Sequence, residues 1–210
     1  MNQSANNQTE QEIFWSGDFG DDYIDRNQGD QLLASNLNFF NDALSSCTKI
    51  QSCVEFGANI GMNLRALQLL FPGIHCSGIE INKTAAAELG NLIGHDAVFN
   101  GAISDFEPNK QADLALIKGV LIHINPQQLG VVYEKLYETS SRYILVAEYY
   151  NPSPVSISYR GHSDKLFKRD FAGEMLDIYP NLDLVDYGFA YHRDNKYPQD
   201  DITWFLMEKR

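Results

Sequence analysis

The chain is short of positive charge: its 210 residues carry 16 Lys and Arg against 28 Asp and Glu, a formal net charge of −12 at pH 7. Affinity for a phosphate backbone depends on clustered basic side chains, so no nucleic-acid partner is expected. Cysteine is scarce as well. Cys47, Cys53 and Cys76 are odd in number and lack metal-ligand spacing. Cys53 and Cys76 fall in apolar runs and read as small buried hydrophobes, which suits a reduced, cytoplasmic setting. His75, His95 and His192 have no metal-like company, so no metal is expected. No run of about 18 apolar residues is present and no secretory leader is evident, so neither a membrane span nor secretion is expected. The triplets Asn2-Gln3-Ser4 and Asn7-Gln8-Thr9 then carry no glycosylation meaning.

A full dinucleotide fingerprint is also missing. Starting at Gly57 it needs glycine at 57, 59 and 62, and Asn59 and Met62 stand at the last two places. What the chain does have is Val54-Glu55-Phe56-Gly57-Ala58-Asn59-Ile60-Gly61, followed 23 positions after Gly57 by Glu80. This reads as a strand, a tight glycine turn and a helix opening near Met62. Glycine at 57 and 61 permits positive φ and close approach of a ligand to the backbone. The helix N-terminus behind the turn offers unpaired N–H groups to a carboxylate or phosphate. Glu80, at the end of the next apolar run, can accept both hydroxyls of a ribose. Together these describe a pocket for an adenosine-containing ligand with an anionic group.

Composition, 44% hydrophobic and 12% aromatic, is that of a globular chain able to bury a sizeable core. Residues 1–11 read as a disordered polar tail and 12–45 as an N-terminal strap and helix, with the main domain over 46–210. In the aromatic, acidic stretch 14–27, two readings stand: a strap over the core edge, or a lid in which Tyr23 and Arg26 point inward and Arg26 meets a ligand carboxylate. Helical spacing is expected over 31–44, 62–70, 84–92, 126–140 and 171–179, and strands over 74–79, 96–100, 113–118, 143–147, 182–191 and 203–208. Residues 152–169 read as a long functional loop. The alternation of strand and helix predicts a doubly wound α/β sheet, with ligands beyond the carboxyl ends of the strands. Gly57, Glu80, Ala102–Asp105, Lys118–His123 and Glu148–Tyr150 all fall there.

The run Glu55, Gly57 and Gly61 resembles the first motif of class I S-adenosylmethionine (SAM) methyltransferases, with Asn59 at the place of the middle glycine. Phe14-Trp15, Gly20, Tyr23, Arg26-Asn27 and Leu145–Pro152 extend the likeness to the pseudaminic-acid-biosynthesis-associated methyltransferases, over most of 12–210. The resemblance implies a Rossmann-like class I methyltransferase fold: a mostly parallel seven-stranded sheet with an antiparallel closing strand and helices on both faces. It implies SAM as cofactor and a SAM-binding domain over 46–210. Gly57, Ala58 and Gly61 would line the methionine portion with Arg26 on its carboxylate. Glu80 would hold the ribose diol and Ile81 cover an adenine face, and Tyr23, Glu55 and Asn59 would join the cofactor-binding set. Ala102 stands where relatives place an Asp, leaving Ile103 or Ser104 for the adenine edge, and Lys118 and Gly119 would pass the sulfonium through backbone carbonyls.

Methyl transfer to a hydroxyl benefits from a base within hydrogen-bond reach. His123 is one candidate, the other reading being a structural histidine. Glu148 is a second, the other reading being an anchor for the following turn. Tyr149, Tyr150, Tyr159, Arg160 and His162 could wall the acceptor. A small-molecule substrate is expected, a sugar or natural-product hydroxyl; the oligomeric state is open. Two other readings stand beside this one: an NAD or nucleotide-sugar enzyme, and a non-catalytic SAM-fold partner in a biosynthetic complex.

Overall fold

A computed structural model of the chain describes residues 8–24, 29–159 and 162–210. Two short N-terminal helices, α1 (Glu10–Ser16) and α2 (Asp18–Ile24), precede α3 (Asp30–Ala43). Thr9 and Glu12 close a reciprocal capping box at the start of α1, satisfying two of the donors a helix N-terminus leaves open. Helix thus begins at Glu10, inside the stretch that reads as a polar tail.

The chain then alternates: β1 (Ser52–Phe56), α4 (Met62–Leu70), β2 (His75–Glu80), α5 (Lys83–Ile93), β3 (Val98–Asn100), β4 (Ala112–Lys118), α6 (Leu129–Thr139) and β5 (Ser140–Glu148). After β5 come β6 (Val155–Tyr159), β7 (His162–Lys168), α7 (Phe171–Ile178), β8 (Leu182–Ala190) and β9 (Ile202–Lys209). Seven strands form one sheet in the order β3-β2-β1-β4-β5-β9-β8. β1 to β5 pair in parallel, and β9 runs antiparallel to both β5 and β8, the closing strand the resemblance implied.

Because the parallel strands are covered on both faces, their apolar runs are nearly continuous and alternate between two cores. Leu114, Leu116, Tyr143 and Leu145 face α3, α4 and α5, with Phe40, Leu67 and Leu89. Ala115, Ile117, Ile144 and Val146 face α6 and α7, with Tyr133, Leu136, Phe171 and Met175.

One expectation is corrected. The stretch 152–169 is not a loop but an antiparallel hairpin of β6 and β7 outside the main sheet. It packs against the short turn Leu121–His123, and Leu166 joins the core beside Ile122. The strict alternation Val155-Ser156-Ile157-Ser158-Tyr159 is the period-two signal of a strand, although Val155 and Ile157 are exposed.

Candidate cofactor and acceptor site

A cavity opens where the carboxyl ends of β1, β2 and β4 meet, and α1 and α2 supply its outer wall through Thr9, Gln11, Glu12, Trp15, Gly20 and Tyr23. The turn after β1 forms one side. Gly57 (φ 74°) and Gly61 (φ 85°) are left-handed, and so is Asn59 at φ 48°. The N–H groups of Gly57 and Ala58 both donate to the carbonyl of Ile79, at 2.8 and 3.0 Å, fastening the turn to β2. A Cβ on Gly57 would stand 2.5 Å from a methyl of Val120, so the turn and the loop after β4 close on each other only because residue 57 has no side chain. Gly61 does not line the cavity: a Cβ there would stand 2.7 Å from Leu89 and Leu92 of α5. Its role is packing and the αL cap of α4, a correction to the expectation that it meets a ligand.

Glu80 projects from the end of β2 into this cavity. Its Oε2 accepts from Asn59 N at 2.7 Å and its Oε1 from Asn82 N at 2.7 Å. Burial raises its pKa against the opposing pull of those backbone donors. The backbone of Ile81 also favours the ionised form, and with about four acceptor positions a carboxylate is not saturated by these donors. Asn59 Oδ1 is buried with no hydrogen-bond partner among the described residues, an open acceptor on the same wall. Ile81, Ala102, Ile103 and Ser104 continue the lining past β2 and β3, and Lys118 and Gly119 line it from the end of β4. The Gly119 N–H donates to Ala147 O at 2.9 Å, tying the loop to β5.

Glu55 is fully buried one layer behind the lining, its Oε1 accepting from Asn63 Nδ2 at 2.6 Å. Burial pushes its carboxyl up to about 8. Asn63, which sequence reading did not single out, is the residue that reaches the cavity in its place.

The two candidate bases separate. His123 lines the cavity, is 8% exposed, and packs under Trp15 with ring centroids 4.6 Å apart. Glu148 does not line it. Its carboxylate turns back and accepts from the N–H groups of Val120 and Leu121 at 2.9 Å, and of Ile122 at 3.5 Å. Three donors around one buried carboxylate hold the 120–123 turn, so Glu148 is an anchor rather than a base. Tyr149 and Tyr150 likewise lie away from the cavity, Tyr149 beneath Lys168 and Tyr150 beside Phe205. Arg26 and Arg160 lie outside the described residues; Tyr159 and His162 pair through their backbones in the hairpin, and their side chains lie outside the description.

Several lining residues lie beyond the individual site residues expected from the sequence, Trp15 and Gly20 having entered only through the aromatic stretch 14–27 and the resemblance. Trp15 sits in an aromatic group with Phe19 and Tyr23 at 5.2 Å each. Asn82 caps α5 through Ala85 N at 2.9 Å and donates to Asp21 of α2 at 2.9 Å, latching the outer wall to the end of β2. Gly20 allows that approach, since a Cβ there would collide with the carbonyl of Trp15 and stand 2.8 Å from Asn82 Nδ2. Asn36 of α3 is held by Gln199 Nε2 at 3.0 Å. Among the described residues no group of three or more His, Cys, Asp and Glu is placed to hold a metal ion, and no helix is long and apolar enough to cross a membrane.

No family model matches the chain, and no curated protein does. Solved structures do match. DesVI from Streptomyces venezuelae has a TM-score of 0.64 at 11% identity, covering 92% of this chain and 99% of that one. Magnesium protoporphyrin IX methyltransferase from Synechocystis PCC 6803 with bound S-adenosylhomocysteine has a TM-score of 0.66 at 10% identity, covering 95% and 98%. The Burkholderia thailandensis 1,6-didemethyltoxoflavin-N1-methyltransferase, also with S-adenosylhomocysteine, has a TM-score of 0.66 at 13% identity, covering 94% and 84%. At such identities the likeness is one of architecture. The chain has the Rossmann-like fold of the class I methyltransferases.

Proposed function

We propose that the protein is a SAM-dependent methyltransferase acting on a small polar acceptor, a hydroxyl of a sugar or natural-product intermediate. The observation that carries the reading is Glu80. Its carboxylate is fixed at the end of β2 by the N–H groups of Asn59 and Asn82, and it lines a cavity walled by the glycine turn. That is the arrangement a ribose diol requires. The open acceptor on Asn59 and the backbone closeness that Gly57 permits suit the same ligand. The pseudaminic-acid-associated resemblance supplies the sugar pathway in this reading.

In this reading Glu80 holds the ribose, and Ile81 and Ile103 supply apolar surface to the adenine. Gly57, Ala58 and Gly119 let the backbone come close to the methionine portion. SAM supplies a methyl group on a sulfonium whose charge is lost as the new bond forms. The protein contributes alignment and exclusion of water, the latter through Trp15, Tyr23 and Val120. His123 stands under Trp15 and accepts the proton from the acceptor hydroxyl at an imidazole nitrogen. Asn125 and Gln128, next to it in the lining, hold the acceptor's other polar groups.

Calorimetric titration with S-adenosylhomocysteine, with NAD as control, tests the cofactor: saturable binding of the former alone is expected, and binding of NAD alone overturns the reading. His123→Gln then tests the acceptor side. It is expected to lower turnover by about 100-fold or more while S-adenosylhomocysteine affinity stays at the wild-type value; undiminished turnover removes His123 from the chemistry.

A further inference from the structure

Among the described residues that line the cavity, Lys118 is the one lysine or arginine. It leaves the end of β4 level with Gly57, since Phe56 pairs with Ile117. Its ammonium lies 5.4 Å from the centroid of the Phe39 ring of α3. Glu55, Asp200 and Glu148 lie near enough to favour its charge. None of them forms an ion pair or hydrogen bond with it among the described residues. Lys118 is partly buried, and its three N–H donors face the cavity with an aromatic ring as their close company and no protein acceptor among the described residues. A cation over a ring gains about 1 kcal/mol, less than a charge-assisted hydrogen bond to an anion supplies.

The neighbouring acceptor is complementary. Asn63 donates its Nδ2 to Glu55, which fixes the amide and leaves its Oδ1 with no donor among the described residues. On the α3 and α4 side of the glycine turn the cavity thus presents one unmatched ammonium and one unmatched carbonyl oxygen. An α-amino-acid terminus carries the converse pair, a carboxylate and an ammonium.

The geometry points to Lys118 as the anchor of the cofactor's amino-acid carboxylate, with Asn63 Oδ1 receiving its ammonium. This assigns to the Lys118 side chain a contact expected above of Arg26, and it rests on the SAM reading. A charged hydrogen bond made in a buried site and then removed weakens binding on the order of 10- to 100-fold.

The test pairs S-adenosylhomocysteine with 5′-methylthioadenosine, which has the adenosine and sulfur but no amino-acid arm, titrated into wild-type protein and Lys118→Met. The methionine keeps the length of the side chain and removes the charge, and Lys118→Gln serves as a second variant that keeps polarity; the melting temperature of each ligand-free variant, read beside its affinities, reports whether the fold is retained. The expected result is a 10- to 100-fold loss of S-adenosylhomocysteine affinity in both variants with 5′-methylthioadenosine unchanged. Equal losses for the two ligands, or no loss for either, overturn the assignment. If wild-type protein binds neither ligand, the SAM reading itself fails, and the assignment with it.

Discussion

Glu80→Ala is expected to weaken S-adenosylhomocysteine binding by about 100-fold or more, the largest effect of any single lining residue. Two hydroxyls held by one carboxylate are charge-assisted hydrogen bonds, each contributing about 1.5–3 kcal/mol, and about 1.4 kcal/mol is tenfold in affinity. The substitution removes both. It also strips the acceptor from Asn59 N and Asn82 N, so the glycine turn loses the bond that orders it. Glu80→Gln separates the two contributions: one carbonyl oxygen remains as acceptor, and a loss of about tenfold is expected. Calorimetry on the three proteins reads both. Wild-type affinity in Glu80→Ala would place the ribose elsewhere.

Glu148→Ala is expected to cost about 3–5 kcal/mol of stability, because buried N–H groups left without an acceptor carry their full desolvation penalty. Val120, Leu121 and Ile122 all donate to that carboxylate. pH adds a second signature. Burial pushes the Glu148 carboxyl up to about 7 from an ordinary 4.5, so between those values the folded state holds a proton that the unfolded state has released. Stability from this group is fully present below about pH 4.5 and declines as pH rises through 7, by about 3 kcal/mol in all. Glu148→Gln has no such proton. Urea unfolding at pH 5 and pH 8 should show a steeper decline in the wild type than in Glu148→Gln. Parallel declines would mean that the carboxylate is ionised throughout and that its three donors outweigh burial.

Much of the architecture was legible because it rests on local patterns. The glycine turn, the strand before it and Glu80 lie within 30 residues and obey a spacing set by one βαβ unit. The continuous apolar runs 114–117 and 143–147 have the short length of strands covered on both faces. What escaped depends on direction or on distance in the chain. Glu148 sits at a strand end, where a carboxylate can face the cavity or turn back on the preceding loop, and no sequence pattern separates the two. The contact between Trp15 and His123 joins residues 108 positions apart. Asn63 carries the polar role expected of Glu55 because it lies in the first turn of α4, where its amide reaches the carboxylate behind it. Gly61 reads like Gly57 in sequence, yet the side chains of α5, not a ligand, fill the space beside it.

Asn82 gives the outer wall a consequence beyond shelter. The same residue donates its backbone N–H to Glu80, caps α5 and holds Asp21 of α2, so the ligand contact and the wall share one fastening. Linkage between two such events is reciprocal. A ligand that draws Glu80 and Asn82 tighter stabilises the docked wall, and a docked wall returns the same factor in affinity for that ligand. In the proposed methyltransferase reading, an acceptor that rests on Trp15 would strengthen the hold on a molecule it need not touch. In a two-substrate enzyme that coupling favours an order of events, with the ligand on Glu80 arriving first and leaving last.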